Sequence, residues 1–295
     1  MVRKGNSGQA LVLVLLSLSV VLTIILYILS RSVTDVAVSS KQEEAVRAFS
    51  AAEAGIERSL VTGASYGTAV NRGDATYTTA VTGFASGGTD LPFPYAVSYG
   101  DTATVWFVSH DANGNLSCNA PLSCFSGLNP SINICWGNPG TLANSATTPA
   151  VELSVYYETP VGSAANIRIG RTAIDPNAGR RASNSFTTDD GGTCTIGSQT
   201  YAFHKTVFFS SIVPAAALSY QNANGLQLAQ IRMLYNDVPH TVGVSVTGGL
   251  LPSQGQRIDS SGVAGDSNRR IVVYQGWPEF PFASNAVISP VGIAK

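Results

Sequence analysis

A run of apolar residues without a single charged side chain occupies positions 10–29 and constrains this chain more than any other feature. At about 1.5 Å per helical residue, a segment of this length spans the roughly 30 Å hydrocarbon core of a bilayer. Lipid offers no hydrogen bonds to a backbone, so such a segment crosses the membrane as a helix. Arg3 and Lys4 precede the run, and their charge favours a cytoplasmic N-terminus and an exported remainder, a bias that Arg31 weakens slightly.

A secretory signal peptide is the first alternative, because it also places basic residues ahead of an apolar core. Its core is usually shorter, and a cleavage site with small residues follows it. Here residues 32–60 contain no proline and a single glycine, Gly55. A stripe of mostly apolar residues at helical spacing, with a favourable ion pair between Glu43 and Arg47, predicts that an amphipathic helix continues to about residue 60 and supports a head. The stripe comprises Val46, Phe49, Glu53, Ile56 and Leu60.

Two motifs on this helix carry a family resemblance. Residues 4–14, KGNSGQALVLV, resemble a class III prepilin signal, with a short basic leader, a glycine and then the hydrophobic helix. Residues 48–55, AFSAAEAG, are similar to the AFxAAEAG stretch of PilX-type minor pilins. The matching positions of this second motif are Ala48, Phe49, Ala51, Ala52, Glu53, Ala54 and Gly55.

The resemblance implies a leader at residues 1–8 that a prepilin peptidase removes by cutting between Gly8 and Gln9. Residues 9–62 would then be a pilin-like helix, with its membrane span at about 10–29 and Gln9 as a candidate for methylation. The implied partners are the peptidase, the membrane and other pilin-like subunits. Assembly through such a helix is physically reasonable without the resemblance, because a helix that is apolar all round can exchange lipid contacts for contacts with neighbouring helices.

One position departs from the pattern of the main pilins. These carry Glu at the fifth mature position, where its charge can neutralise the terminal amine of a neighbouring subunit. Here that position is Leu13, and a cut after Gly5 would place Ala10 there instead. A buried amine without a counter-charge is costly. The resemblance therefore implies a minor pilin, at the tip of a filament or active in its initiation.

The composition and the hydrophobic pattern of the sequence change beyond residue 62. Gly63, Gly67 and Gly73 predict a flexible start, and short runs rich in Val, Ile, Phe, Tyr and Thr then alternate with Gly, Asn and Pro clusters. The predicted fold class is α+β, with the long N-terminal helix followed by a large antiparallel β-rich head at 63–295, which a Gly/Ser/Thr/Pro-rich stretch at 138–149 could divide. The predicted strands are Thr76–Val81, Tyr95–Tyr99, Ala103–Ser109, Val151–Tyr157, Asn166–Thr172, Ala202–Ser211, Gln227–Tyr235, His240–Val246 and Arg269–Gln275.

Four cysteines fall in the head, and an even number in an exported domain indicates disulfides. Four cysteines permit three pairings, and connectivity cannot be deduced from sequence. The favoured pairing joins Cys118 to Cys124 in a small loop and leaves Cys135 with Cys194. A metal site is the rival interpretation, but no CxxC pair and no nearby histidines support it.

The residues that could perform chemistry are scattered. His110, His204 and His240 each lie beside a strand-like run, and no GxSxG motif accompanies them. Residues 111–115, DANGN, resemble the opening of a calcium loop, but the Gly and bidentate Glu that should follow are both leucine, so a turn explains them equally. We expect no catalytic residue, metal or cofactor.

Most of the head's aromatic residues, Trp106, Trp136 and Trp277 among them, are expected in the core, although some could form an adhesive surface.

The net charge of −1 argues against nucleic acid as the main partner. The adjacent basic pairs beyond the helix, Arg180-Arg181 and Arg269-Arg270, are typical of solvated surface or of intramolecular ion pairs.

The leading hypothesis is a non-enzymatic minor pilin-like subunit of a type IV pilus or related secretion system. It would lie in the cytoplasmic membrane with its head outside, and in a surface filament after assembly. The alternative is a signal-anchored surface protein with an adhesive β head that stays outside any filament.

Overall fold

The computed structural model describes residues 7–111, 113–162, 164–214 and 221–278. It begins with one continuous helix, α1 (Ser7–Thr62), and antiparallel strands follow, so the predicted α+β class with a β-rich head is confirmed. α1 contains a segment long and apolar enough to cross a membrane. Most of the predicted leader, residues 1–6, lies outside the described residues.

The head consists mainly of strands, fourteen in the described residues, with two short helices, α2 (Ala178–Asn184) and α3 (Phe209–Ile212), and a 3-10 turn at Ala164–Asn166. The strands are β1 (Tyr66–Arg72), β2 (Ala75–Gly83), β3 (Asp90–Val97), β4 (Thr102–Trp106), β5 (Ser131–Trp136), β6 (Ala150–Glu158), β7 (Ile167–Ile174), β8 (Cys194–Ile196), β9 (Gln199–Tyr201), β10 (Phe203–Phe208), β11 (Leu226–Leu234), β12 (His240–Thr247), β13 (Gly255–Ala264) and β14 (Ser267–Gly276).

The chain divides into two compact units. The first comprises the residues up to Val81 together with Ile258–Val273, and it contains α1 and the sheet of order β1-β2-β13-β14. The second comprises Thr82–Arg257 and the residues from Tyr274 onward. It contains two further four-stranded sheets, of order β10-β5-β12-β3 and β4-β11-β6-β7, and the hairpin β8-β9. The stretch at 138–149, the predicted division, connects β5 to β6 within the second unit.

One hydrophobic core stabilises the second unit, and both of its four-stranded sheets contribute to it. Ile134 on β5 lies opposite Val244 on β12, while Leu153 on β6 lies opposite Ile231 on β11, and all four side chains are fully buried. Full burial of an aliphatic side chain of this size contributes about 1.5–3 kcal/mol. The β-branched and aromatic runs that predicted strands here are therefore the residues that fill the core.

Several strands differ from the sequence prediction. The glycine-rich segment after α1 is not a flexible start, because β1 pairs antiparallel with β2. β3 begins earlier than predicted, and Pro92 and Pro94 are tolerated in it because it lies at the edge of its sheet. The predicted strand at 202–211 ends at Phe208, where α3 takes over. β1, β5, β8, β9 and β13 were not predicted; β8 and β9 have three residues each, and β13 carries mainly polar residues.

Both disulfides have the pairing that the sequence analysis favoured. Cys118 bonds to Cys124 across a six-residue separation, with their Cα atoms 5.3 Å apart. Cys135 on β5 bonds to Cys194 on β8 across a separation of 59 residues, with Cα atoms 5.9 Å apart. The second bridge therefore ties the β8-β9 hairpin to a central strand of the core.

Removing the two bridges is expected to have unequal effects. In the chain-entropy model a disulfide stabilises more when it closes a longer loop, so the change Cys135→Ala with Cys194→Ala should cost about 4 kcal/mol and Cys118→Ala with Cys124→Ala about 2 kcal/mol. Urea denaturation of the full chain in detergent measures both. An unchanged melting temperature under reducing agent, with all four thiols titratable in the native protein, would refute the bridges.

Candidate functional site: helix α1 and its contact with the first unit

The N-terminal part of α1 presents apolar side chains around its whole circumference. The large apolar side chains from Leu11 to Leu29 are each about half or more exposed, and this segment contains no charged residue. The hydroxyl groups of this segment donate to the helix's own carbonyls, as Ser17 does to Val14 and Thr23 does to Ser19, both at 2.9 Å. Polar side chains that are satisfied within the helix do not oppose transfer into lipid or into an apolar helix bundle.

The apolar surface continues past the length that a bilayer needs. Val33, Val36 and Val38 follow Arg31 and are 69%, 67% and 51% exposed. Val33 and Val36 continue the helix face of Leu29, since residues three and four apart are neighbours on a helix. This stretch of α1, from Arg31 to Gln42, is exposed throughout.

The motif at 48–55 is the part of α1 that packs against the sheet of the first unit. Ala48, Ala51 and Ala52 are buried, and Ala48 and Ala51 form a hydrophobic cluster with Ala75 and Tyr77 of β2 and Ala264 of β13. Small side chains at three-to-four spacing allow a helix to lie close to a partner. The stretch at 48–55 therefore has a structural role in this chain, because it forms the contact between helix α1 and the sheet.

Two glycines show how close this contact is. A Cβ atom on Gly262 of β13 would overlap the carbonyl oxygen of Ala48 and lie 2.6 Å from the backbone nitrogen of Ala52. A Cβ atom on Gly55 of α1 would lie 2.8 Å from the Thr79 methyl group and 2.9 Å from the Tyr77 ring. Neither site can hold a side chain at the present spacing.

Buried hydroxyl groups complete the interface. Ser260 Oγ on β13 donates to the carbonyl of Ala52 at 2.8 Å. Ser59 Oγ lies 2.8 Å from Thr79 Oγ1 and donates to the carbonyl of Ala64 at 3.0 Å. Each of these short side chains satisfies a polar group without separating the helix from the sheet.

The stripe of large residues that predicted the amphipathic helix is not the face that packs on the sheet, so the predicted supporting face is wrong. Val46 is 68% exposed and Phe49 is 47% exposed, and Glu53 and Leu60 are exposed as well. Ile56 alone of the five is buried. The physical reason is the short helix–sheet distance, which admits alanine and glycine and turns the larger side chains outward.

Ion pairs tether α1 to two hairpin turns of the same unit. Lys41 Nζ lies 2.6 Å from Asp266 in the turn between β13 and β14. Arg47 pairs with Glu43 and lies 3.5 Å from Asp74 in the turn between β1 and β2. The hydrogen bond from Lys41 lowers the pKa of Asp266 and the same bond raises the pKa of Lys41. These groups are exposed, so salt screens their attraction.

The predicted cleavage position, Gly8–Gln9, falls in the first turns of α1.

The three histidines have separate surroundings. His110 stacks on the Trp277 ring at 4.5 Å, His204 Nε2 lies 2.9 Å from the Gly191 carbonyl, and His240 Nδ1 accepts from the Asn138 backbone at 3.0 Å. Among the described residues, no group of three or more His, Cys, Asp or Glu side chains could hold a metal ion.

The segment that resembles the opening of a calcium loop forms a turn around its own aspartate. Asp111 Oδ1 accepts from the backbone nitrogens of Asn113 and Asn115, at 2.8 and 2.9 Å. The hydrogen bond from the Asn115 backbone lowers the pKa of Asp111. This is the Asx geometry that Asp and Asn adopt in turns, so the local structure explains these residues.

Sequence reasoning found the helix residues of this site and missed the strand residues. Gly262 and Ser260 lie in a mainly polar segment, GQRIDSSGVA, that lacks the alternation expected of a strand. Comparison with models of protein families, with curated proteins and with solved structures found no match.

Proposed function

We propose that this chain is a minor pilin-like structural subunit that is inserted in the cytoplasmic membrane through α1 and assembles with other pilin-like subunits through the same helix. One observation carries the proposal: a single helix presents exposed apolar side chains throughout Leu11–Leu29 and again at Val33, Val36 and Val38, and its other end is packed closely on the sheet of the first unit. In this arrangement the helix and the sheet of the first unit belong to one compact unit, so lateral contacts of the helix position that sheet.

The length of the exposed apolar surface favours a filament over a permanent anchor. About twenty residues suffice to cross a bilayer, so a helix that only anchors has no need for apolar side chains beyond residue 30. Val33, Val36, Val46 and Phe49 are nonetheless exposed further along α1. Exposed apolar side chains mark an interaction surface, and neighbouring helices of the same type would cover them.

The residue at the fifth position after the proposed cut supports a minor subunit. Leu13 offers no charge to a neighbour's terminal amine, and in the structure it is 68% exposed on the apolar part of α1. A subunit with this residue would fit where one neighbour is absent, at the tip or in the first step of assembly. A permanently anchored surface protein is the alternative, and the variant Val36→Asp distinguishes the two.

Placing a charge at residue 36 is expected to block assembly and to leave membrane insertion intact. Val36 lies beyond the span and is 67% exposed, so Val36→Asp should not disturb the fold of the single chain. Burying that charge between helices would be costly, and the amount of protein in sheared surface filaments should fall at least tenfold. The measurement is quantitative blotting of the sheared and membrane fractions.

Thr34→Asp is the matched control. Thr34 is exposed on the same helix, and two residues correspond to about 200°, so it lies on the side away from Val36. The proposal predicts a smaller loss for the control. Filament fractions that are unchanged by Val36→Asp, or a chain found only in membranes before any substitution, would contradict assembly through this face.

A further inference from the structure

A cavity of about 70 Å³ in the second unit is lined by aromatic rings. Phe93 and Tyr95 of β3, Trp106 of β4, and Tyr274 and Trp277 near the end of β14 all border it. Tyr95 is 49% exposed and Tyr274 is 43% exposed, so the rim presents aromatic surface to solvent while the floor is buried. Pockets that bind small molecules commonly combine such apolar walls with a few fixed polar groups.

Contacts within the protein hold the Tyr274 and Trp277 rings in place without a ligand. Phe84 contacts the Tyr274 ring edge-on with centroids 5.0 Å apart. His110 stacks on Trp277 at 4.5 Å, and the Trp277 Nε1 donates to the Ser253 carbonyl at 2.8 Å. Binding groups fixed before the ligand arrives lose less entropy on association, so this cavity is preorganised.

One residue of the cavity lining, Thr104, has a polar atom without a partner. Thr104 is 6% exposed, lines the cavity, and its buried Oγ1 makes no hydrogen bond to any part of the chain that the structure describes. The neighbouring Gln254 differs, because its Oε1 accepts from the Trp106 backbone at 2.7 Å and its Nε2 donates to the carbonyls of Trp106 and Pro252. Buried hydroxyl groups are normally satisfied, so the Thr104 hydroxyl indicates a place for a ligand's polar group.

We propose that this cavity binds one edge of a neutral sugar residue. None of the side chains lining it carries a charge, which disfavours an anionic or cationic ligand. A pyranose combines a C–H face that packs on aromatic rings with hydroxyl groups that can pair with the Thr104 Oγ1. The volume admits a hydroxymethyl group or a ring edge and leaves the rest of the sugar against Tyr95 and Tyr274.

An apolar amino-acid side chain is the competing occupant, and it differs from a sugar in having no hydroxyl group to pair with Thr104. Such a side chain would pack on the same rings but would leave the Thr104 hydroxyl unpaired, which is unfavourable in a buried site. The sugar proposal goes beyond the pilin-like function and does not depend on filament assembly, because all residues of the cavity belong to the second unit.

The test is a titration of the full chain in a detergent without a sugar headgroup. The probes are the methyl glycosides of glucose, galactose, mannose and N-acetylglucosamine, and tryptophan fluorescence reports on Trp106 and Trp277. We expect a saturable change with at least one glycoside. Thr104→Val should weaken that binding about threefold to tenfold, the value of one neutral hydrogen bond, without lowering the melting temperature.

Thr102→Val is the control, because it makes the same chemical change two residues earlier on β4 outside the cavity lining, and it should bind like the unaltered protein. A lack of saturable change with all four glycosides would overturn the proposal. Equal binding by Thr104→Val and the unaltered protein would also overturn it. A saturable response to N-acetyl-prolinamide alone would assign the cavity to an apolar side chain instead.

Discussion

Replacing Gly262 with valine is expected to break the contact between α1 and the head. Any Cβ atom at this position would overlap the carbonyl oxygen of Ala48, which is helix backbone and cannot rotate away. The helix would have to move off β13, and the buried contacts of Ala48, Ala51 and Ala52 would then open. Overpacking a well-packed interior costs about 1–3 kcal/mol, and a clash with two backbone atoms of the helix belongs at or above the upper end of that range.

The change should appear as a loss of cooperative unfolding in the first unit and as faster proteolysis of α1 after residue 40. Urea denaturation and limited proteolysis of the full chain in detergent measure the two effects. Gly67→Val is the matched control, because Gly67 lies on β1 of the same sheet and a Cβ atom there meets nothing within 4 Å. Equal stability of the two variants would contradict a close packing of helix and strand.

Removing the carboxylate of Asp175 is expected to destabilise the second unit strongly. Asp175 is fully buried and accepts hydrogen bonds from Arg180 Nε and an Arg180 terminal nitrogen, at 3.0 and 2.8 Å, and from Asn177 and Asn184. Arg180 itself is 17% exposed. Breaking a buried pair by removing one partner costs about 3–5 kcal/mol, because it leaves the other charge uncompensated.

The loss is expected to extend to the loop before β6, because Arg180 also donates to the carbonyls of Ala146 and Thr148 and lies over the Tyr235 ring at 4.2 Å. Asp175→Ala should therefore destabilise the protein by about 3–5 kcal/mol in urea denaturation. Arg180→Met should have a similar effect, and the double variant should lose less than the sum of both, since neither charge is then left alone.

A surface pair on the neighbouring strands provides the comparison. Arg171 lies 3.9 Å from Glu152, and its side chain is 44% exposed. Arg171→Met should change the free energy of unfolding by at most about 1 kcal/mol, as is typical of exposed pairs. A loss as large as that of Asp175→Ala would show that the buried position of Asp175 is not what makes its pair important.

The sequence predicted those features that depend on one stretch of chain. The charge-free run at 10–29 and the absence of proline up to residue 60 were enough to predict a helix of the observed kind. Strands such as β6 and β11 were predicted because their Val, Leu, Ile and Tyr residues fill a core that needs such side chains. The disulfide pairing was favoured on loop size alone, and it agrees with the structure.

Features that depend on distant segments could not be predicted. The buried face of α1 is set by Gly262 and Ser260, more than two hundred residues away, so the large residues Val46 and Phe49 were mistaken for part of the supporting face. Arg180 and Arg181 were recognised only as surface or ion-paired residues. Their partner, Asp175, lies within one turn of α2, but its burial depends on the loop that contains Thr148.

We propose that the chain is processed and assembled as a pilin-like subunit, and the intact mass of the native protein is the first test of this proposal. The measurement is mass spectrometry of the chain from membrane fractions and from sheared surface filaments. The account predicts a chain that begins at Gln9 and is present in the sheared fraction. A chain that begins at Met1 and remains in the membrane fraction would contradict the account and would favour a permanent anchor.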